Sequence, residues 1–335
     1  MAQQVKVSVI IKALNEEQHI ARAIESALRA VAPLGGEVIV ADSYSSDRTT
    51  EIASAYPVRV VRLQRPHERC CGVGAQLGFQ YALGEFVYLL DGDMIMHGGF
   101  LEQALALFEA HPDLAGVGGV LVEQNLESLE YRARLGRAPA NHKPGLVDRL
   151  DGGGLYRRAA LAQLGYLTDR NLHSYEEFDL GVRLRTAGWT LRRTTIPVVD
   201  HYGHTADAVT LLMRRWRSGY ICGSGEVLRG ALGRPHLWPL LRELRELHLY
   251  GAVLGWWAAL LLCWLLPLPW GQRAACCAGL LLFPPVVMVL KKRSLQGGLY
   301  AVLSWCVNAA GLVRGLLHRR QDAAAPIAAT VLSDR

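Results

Sequence analysis

The stretch GEFVYLLDGDM, residues 84–94, decides how the chain is read. An apolar run from Phe86 to Leu90 stops at two aspartates, Asp91 and Asp93, with Gly92 between them. A short apolar run without polar alternation marks a strand buried on both faces, as in parallel sheets. Ligands of such sheets sit beyond the carboxyl ends of the strands. Two carboxylates at that end are therefore candidates for a shared site, and Gly92 allows the tight backbone between them.

Working outward, the same alternation recurs. VKVSVII (5–11) reads as a first strand, followed by a helix over ALNEEQHIARAIESAL with Ile20, Ala23, Ile24, Ala27 and Leu28 on one face. Asn15 is its expected N-cap, with Glu16 and Glu17 in the first turn. GEVIVAD (36–42) and VRVVRL (58–63) are further strands, with the helices RTTEIASAY and GVGAQLGFQYAL after them and FLEQALALFEAH after the fourth strand, EFVYLLD. Strands alternating with helices predict an α/β fold, a mainly parallel sheet with helices on both faces. Beyond it, GVGGVLVEQ predicts a strand, and the three glycines of DGGGLYRRAALAQLG (151–165) permit close backbone approach to a ligand. NLHSYEEFDLGVRLRTAGW (171–189) predicts a helix ending at Gly188, with Glu176, Glu177 and Asp179 at its start, and LRRTTIPVVDHYGHT a strand with His201 and His204 at its end. Asn15 and Glu16, Asp42, and Asp91 with Asp93 all fall at strand ends, which argues for one site.

The 335 residues are 51% hydrophobic, but residues 1–246 carry charges throughout and 247–317 are nearly all apolar. LYGAVLGWWAALLLCWLLPLPW (249–270) is uncharged and long enough to cross a bilayer. AACCAGLLLFPPVVMVL (274–290) is shorter, kinked at Pro284-Pro285 and closed by KKR (291–293), which predicts a hairpin returning that basic triplet to the cytoplasm. SLQGGLYAVLSWCVNAAGLVRGLL (294–317) reads as a third span, a re-entrant segment or an interfacial helix. The net charge of +6 concentrates at RRWR (214–217), KKR and HRR (318–320), all bordering apolar stretches. That placement favours anionic lipid as the partner, and no nucleic-acid-binding motif accompanies it. Seven cysteines without CxxC or zinc-ligand spacing read as small apolar residues in a reducing compartment. No basic start followed by a long apolar core opens the chain, so the front domain is expected in the cytosol.

VSVIIKALNEEQHI, EVIVADSYSSDRTTEIA, GEFVYLLDGDM and YEEFDLGVRLRTAGW together resemble, in order and spacing, the motifs of family 2 glycosyltransferases. The resemblance covers about residues 5–225 and implies the nucleotide-sugar-binding GT-A (Rossmann-like) fold. It implies donor binding by Ala13, Asn15 and Glu16 after the first strand, and by Asp42 on the base or ribose. Asp91 and Asp93 then match the motif for metal and diphosphate, with Asp93 the direct ligand of Mn²⁺ or Mg²⁺. Glu177 takes the place of the catalytic base, with Glu176 its substitute if the register shifts by one. His201, ahead of His204, matches a histidine near the metal. Arg215 and Trp216 match part of a Gln-x-x-Arg-Trp motif whose arginine meets the diphosphate and whose tryptophan meets acceptor sugar. The chain departs from the family at Lys12, where proline is common, at Tyr44, where glycine is usual, at Leu212, where the motif has glutamine, and at Glu177, where aspartate is usual.

These readings predict a cytosolic catalytic domain over 1–208, interfacial amphipathic helices over 209–247, a transmembrane region of two or three segments over 248–320 and a flexible tail over 321–335. The expected activity is inverting, metal-dependent transfer of a sugar from a nucleotide diphosphate sugar, UDP-linked, to a lipid-linked or saccharide acceptor at the inner or plasma membrane, as in exopolysaccharide assembly. The alternatives are a polyprenyl-phosphate sugar synthase, an inactive membrane scaffold with the same fold, and a soluble nucleotidyltransferase. Sugar and acceptor preference is expected to reside in the loop around 126–150.

Overall fold

The computed structural model describes residues 5–124, 140–202 and 207–334. Residues 126–139 of the predicted specificity loop, and His204, lie outside the described residues. The chain divides into two units, one of residues 1–206 with 320–335 and one of residues 207–319.

The first unit is built on β1 (Val7–Ala13), α1 (Ile20–Val31), β2 (Glu37–Asp42), α2 (Thr49–Ser54), β3 (Arg59–Leu63), α3 (Cys71–Tyr81), β4 (Phe86–Asp91), β5 (Met94–Met96), α4 (Phe100–Ala110) and β6 (Leu114–Glu123). After the undescribed segment come β7 (Gly145–Leu146), β8 (Gly154–Arg157), α5 (Arg158–Leu164), α6 (Glu176–Thr186), β9 (Thr190–His201) and, at the end of the chain, β10 (Ala329–Ser333). One sheet runs β10-β3-β2-β1-β4-β8-β6-β9-β5, with β7 on β9. β3, β2, β1 and β4 are mutually parallel. Their interior residues are buried on both faces, which is why these strands read as unbroken apolar runs. Two apolar clusters, one on each face, make the core: Ile20, Ile24, Tyr88 and Phe100 belong to one, Ile10, Ile39, Leu77 and Leu180 to the other.

Three readings change. Asn15 is not an N-cap: the helix begins at Ile20, behind His19. The preceding turn bonds sideways instead, Glu16 N–H donating to Thr49 Oγ1 at 2.8 Å and Glu17 N–H to Asp47 Oδ2 at 3.1 Å, so the loop after β1 is tied to the loop after β2. The triple glycine serves chain packing: Gly153 has φ +96°, and a Cβ there would fall 2.6 Å from the Leu89 carbonyl oxygen of β4. The tail read as flexible is a strand, with Ala329, Thr330 and Val331 paired antiparallel to Leu63, Arg62 and Val61. It covers the open edge of β3, which would otherwise present unpaired backbone groups.

The second unit holds α7 (Ala208–Arg217), α8 (Gly223–Ala231), α9 (Leu237–Glu243), α10 (Glu246–Cys263), α11 (Trp270–Lys292) and α12 (Leu295–Leu317). Three of these, α10, α11 and α12, are long and apolar enough to cross a membrane. Pro284 and Pro285 lie inside α11. Proline has no N–H, so the carbonyl four residues before Pro284, that of Leu280, has no intrahelical donor. The indole N–H of Trp256 on α10 donates to that carbonyl at 2.8 Å. In hydrocarbon no water can do so. Replacing Trp256 by Phe keeps an aromatic ring but removes the donor together with part of the indole; the full chain in detergent should lose at least about 1 kcal/mol of stability, read as a lower thermal midpoint. An unchanged midpoint would show that the carbonyl finds another partner.

Candidate functional site

Register sets the site. Pairing of β1 with both neighbours places Ala13 opposite Asp42 and Lys12 opposite Asp91. Asp42 is fully buried. Its carboxylate accepts from the N–H groups of Tyr44 at 3.1 Å and Ser45 at 3.0 Å, and the Arg62 Nε lies 3.4 Å away. Tyr44 is left-handed, at φ +71°, and its exposed ring lies under the Arg62 guanidinium, 4.4 Å from the centroid. Asn15, also left-handed at φ +58°, accepts the Ser46 N–H on Oδ1 at 2.8 Å and donates its own N–H to Ser45 Oγ at 2.9 Å. Left-handed backbone at non-glycine residues is strained and concentrates where a site over-determines it. Glu16 lies over Gly92, where a Cβ would meet its Cγ at 2.8 Å.

The second group surrounds a lysine. Lys12 Nζ is 2.8 Å from Asp91 Oδ1. Burial works against its charge, yet the attraction of Asp91, Glu176 and Glu177 overrides this and holds the ammonium well above the ordinary lysine value. Glu176 and Glu177 open α6, behind Tyr175 at φ +68°. That helix is anchored by a buried pair, Arg183 with Asp179 at 2.7 Å, and Arg183 also donates to the Leu167 carbonyl at 2.7 Å. Enclosure pushes the Glu177 carboxyl well above the usual range; Lys12 pulls it back, while Asp151, Glu176 and Asp91 push it further up. Glu176 is raised for the same first reason, again opposed by Lys12. The Oε2 of Glu177 and the hydroxyl of Tyr88 are shut off from solvent and have no hydrogen-bond partner among the described residues. Asp151 is held by Asn141 Nδ2 at 2.8 Å and Arg149 Nε at 2.9 Å, and Arg193 donates to its carbonyl at 3.1 Å.

The third group is at the other side of Gly92. His201 ends β9 and pairs in register with Met94 and Glu123. Its Nε2 lies 3.4 Å from Asp93 Oδ2, and its Nδ1 lies 2.6 Å from Glu123 Oε2. Burial opposes the imidazolium, but the bonds and charges of Asp93 and Glu123 outweigh it and push the ring up to about 9. A carboxylate oxygen and an imidazole nitrogen side by side, with a second carboxylate fixing the ring from behind, is a donor set that fits a divalent cation. Asp93 and His201 are thus brought together, whereas Asp91 is engaged by Lys12.

Of the residues read from the sequence, Ala13, Asn15, Glu16, Asp42, Asp91, Asp93, Glu176, Glu177 and His201 all lie in the first unit. Arg215 and Trp216 lie in the second, on α7: the Arg215 guanidinium sits over the Tyr220 ring at 5.2 Å, and Arg314 donates to the Trp216 carbonyl at 3.2 Å and sits over its indole. The sequence reading passed over Glu123, Asp151, Arg62 and Tyr88, and met Lys12 only as a departure from the family. Glu123 carried a signal of its own, an acid closing the apolar run GVGGVLV, and Lys12 carried another, a lysine ending a buried strand.

The first unit thus gathers a buried aspartate, a pair that fits a divalent cation and an enclosed glutamate. Residues 8–165 match the family described as Glycosyl transferase family 2, and the chain carries a glycosyltransferase family 2 domain. It is 25% identical over 335 residues to the succinoglycan biosynthesis protein ExoA of Rhizobium meliloti (strain 1021), covering 94% of this chain and 96% of that protein. In fold it is similar to the mannosyltransferase PcManGT of Pyrobaculum calidifontis, solved with GDP-Man and Mn²⁺, at a TM-score of 0.59 and 19% identity over 94% of this chain and 88% of that one. It is also similar to residues 1–349 of S. aureus TarS, solved with UDP-GlcNAc, at a TM-score of 0.50 and 18% identity over 64% of each chain.

Two outcomes follow from the Asp93–His201–Glu123 arrangement. Titration of the full chain with Mn²⁺, followed by electron paramagnetic resonance, should show binding lost in Asp93→Asn and His201→Gln and weakened about 10- to 100-fold in Glu123→Gln; wild-type binding in all three would remove His201 from the metal site. In the metal-free protein His201 sits at about 9 against an ordinary 6.5, so its contribution is complete below pH 6.5 and lost as pH rises through 9. The thermal midpoint should therefore fall across that interval, and Glu123→Gln should flatten the fall.

Proposed function

We propose that this chain is an inverting, metal-dependent glycosyltransferase that moves a sugar from a UDP-linked donor to a hydroxyl of a lipid-linked or saccharide acceptor, in polysaccharide assembly at the membrane. The observation that carries the reading is Glu177: an enclosed carboxylate with one oxygen lacking a hydrogen-bond partner among the described residues, at the carboxyl edge of a sheet that also presents Asp42 and the Asp93–His201 pair. A buried acceptor without a partner is costly unless something else supplies the proton.

Asp42 and the Tyr44–Arg62 stack suit a nucleoside, and Asn15 and Glu16 close over the same edge. Asp93 and His201 would hold Mn²⁺ or Mg²⁺. The cation, when bound, offsets charge on the departing diphosphate. Glu177 takes the proton of the acceptor hydroxyl while that oxygen forms its bond to the anomeric carbon and the bond from that carbon to the diphosphate breaks. Attack from the side opposite the leaving group inverts the configuration. Burial raises the Glu177 carboxyl, the direction that makes it a stronger base, and Lys12 opposes that rise. The match to ExoA supports polysaccharide assembly, the fold neighbours with GDP-Man and UDP-GlcNAc support a nucleotide sugar donor, and the three apolar helices support membrane residence; the basic stretches 214–217, 291–293 and 318–320 favour a cytoplasmic catalytic unit.

The test uses the full chain in detergent with Mn²⁺, a panel of nucleotide sugars and lipid-linked or free saccharide acceptors. Glu177→Gln should lower kcat by about 10²- to 10⁴-fold while the donor still raises the thermal midpoint. Turnover within twofold of wild type would remove Glu177 from the reaction, and the same loss in Glu176→Gln alone would move the base by one residue. Transfer to a polyprenyl phosphate, or a preference for GDP-linked donors, would overturn that part of the proposal.

A further inference from the structure

The path of the chain through the first unit constrains the apolar helices. The tail 320–334 is structural there. Besides the β10–β3 pairing, Arg170 donates to the carbonyls of Ala325 and Pro326 at 3.1 and 3.0 Å, Ile327 N–H donates to Gln80 Oε1 at 2.6 Å, and the Ile327 side chain is buried in the core. The chain leaves this unit at residue 206 and rejoins it at residue 320. Both ends of the intervening segment therefore lie in one compartment, and the segment crosses a bilayer an even number of times. It holds three helices of spanning length, so the three cannot all cross.

Contacts within the second unit pick out which does not. α10 and α11 pair antiparallel up to their shared turn: Trp256 meets the Leu280 carbonyl, and Trp264 packs on Trp270 with centroids 5.4 Å apart. α12 meets this hairpin at its base. Gly298 abuts Val289, where a Cβ would fall 2.6 Å from the backbone. Val302, Trp305 and Cys306 face Leu249–Trp256 and Pro284 around a cavity of about 130 Å³, and Ala309 and Leu312 pack on Tyr250 and Val253. Away from the hairpin, α12 lies against the segment 221–229. Added Cβ atoms on Gly311 and Gly315 would fall 2.5 and 2.1 Å from the carbonyl oxygens of Ile221 and Cys222. In the segment that follows, Glu226 pairs with His318 at 2.6 Å, and Arg229 donates to the Leu316 carbonyl. The base of the hairpin carries Lys291, Lys292 and Arg293, and α12 adds Arg314, whereas Arg273 is the single lysine or arginine between 246 and 290.

We infer that α12 lies in the headgroup plane on an anionic bilayer surface, and that α10 and α11 alone cross, as one hairpin whose tip, near residues 264–273, is outside. Short basic flanks stay on the cytoplasmic side, and a helix whose last turn carries Arg314 and whose end meets Arg229 and Glu226 is suited to an interface. The inference rests on the membrane reading above and is separable from it. Trypsin added to intact spheroplasts should cut the untagged chain at Arg273 and spare 291–293 and 319–320, while inverted vesicles should show the reverse. An epitope inserted after Leu268 in the full chain should be reached by antibody from outside, and one appended after Arg335 from inside. Cleavage at 319–320 or antibody binding to the C-terminus from outside overturns the inference. So does a membrane-bound chain whose inserted epitope is reached from inside. A chain recovered in the soluble fraction would overturn the membrane reading itself.

Discussion

One ammonium group organises the site. Lys12 is the penultimate residue of β1, the strand paired on both sides with parallel neighbours, and the register sets it against Asp91 at 2.8 Å. Around it stand Asp91, Glu176 and Glu177, three carboxylates that would repel one another in an enclosed space. Their mutual charge keeps Lys12 protonated, and Lys12 in turn restrains the rise that burial imposes on both glutamates. Removing one member of such a group leaves uncompensated charge, so these positions depend on one another.

That dependence separates the two acids of the DGD stretch. Asp91 turns toward β1 and the lysine; Asp93, one residue beyond the glycine, turns toward β9 and His201. The short β5 makes the difference, because its pairing with β9 brings Asp93 beside His201, and Glu123 at the end of β6 holds the ring from the other side. The sequence reading assigns both aspartates to the metal and diphosphate, with Asp93 the direct ligand. The tertiary pairing gives them different neighbours and thus different chemistry.

Much of the fold was legible because each parallel strand is buried on both faces and shows as an apolar run, and because α1 repeats its apolar residues at helical spacing. Asn15 misled because its residue type suits both a helix N-cap and a left-handed turn, and side-chain bonds to the loop after β2 chose the turn. The glycines at 152–154 signalled close approach without saying to what; the answer, the β4 backbone, depends on a strand far away in sequence. The tail looked flexible because its composition carries little pattern, and an edge strand pairing along one side needs little.

By itself the sequence determined the alternation of buried strands and helices, the acids at the strand ends and the apolar character of 247–317, since these follow from local periodicity and residue type. Tertiary structure alone decided which side chains meet: Lys12 with Asp91, Glu123 behind His201, Asp151 near Glu177, and the last strand returned to β3. Each of those meetings joins residues that are remote along the chain, and the register of one strand on another, which no local pattern encodes, is what sets them side by side.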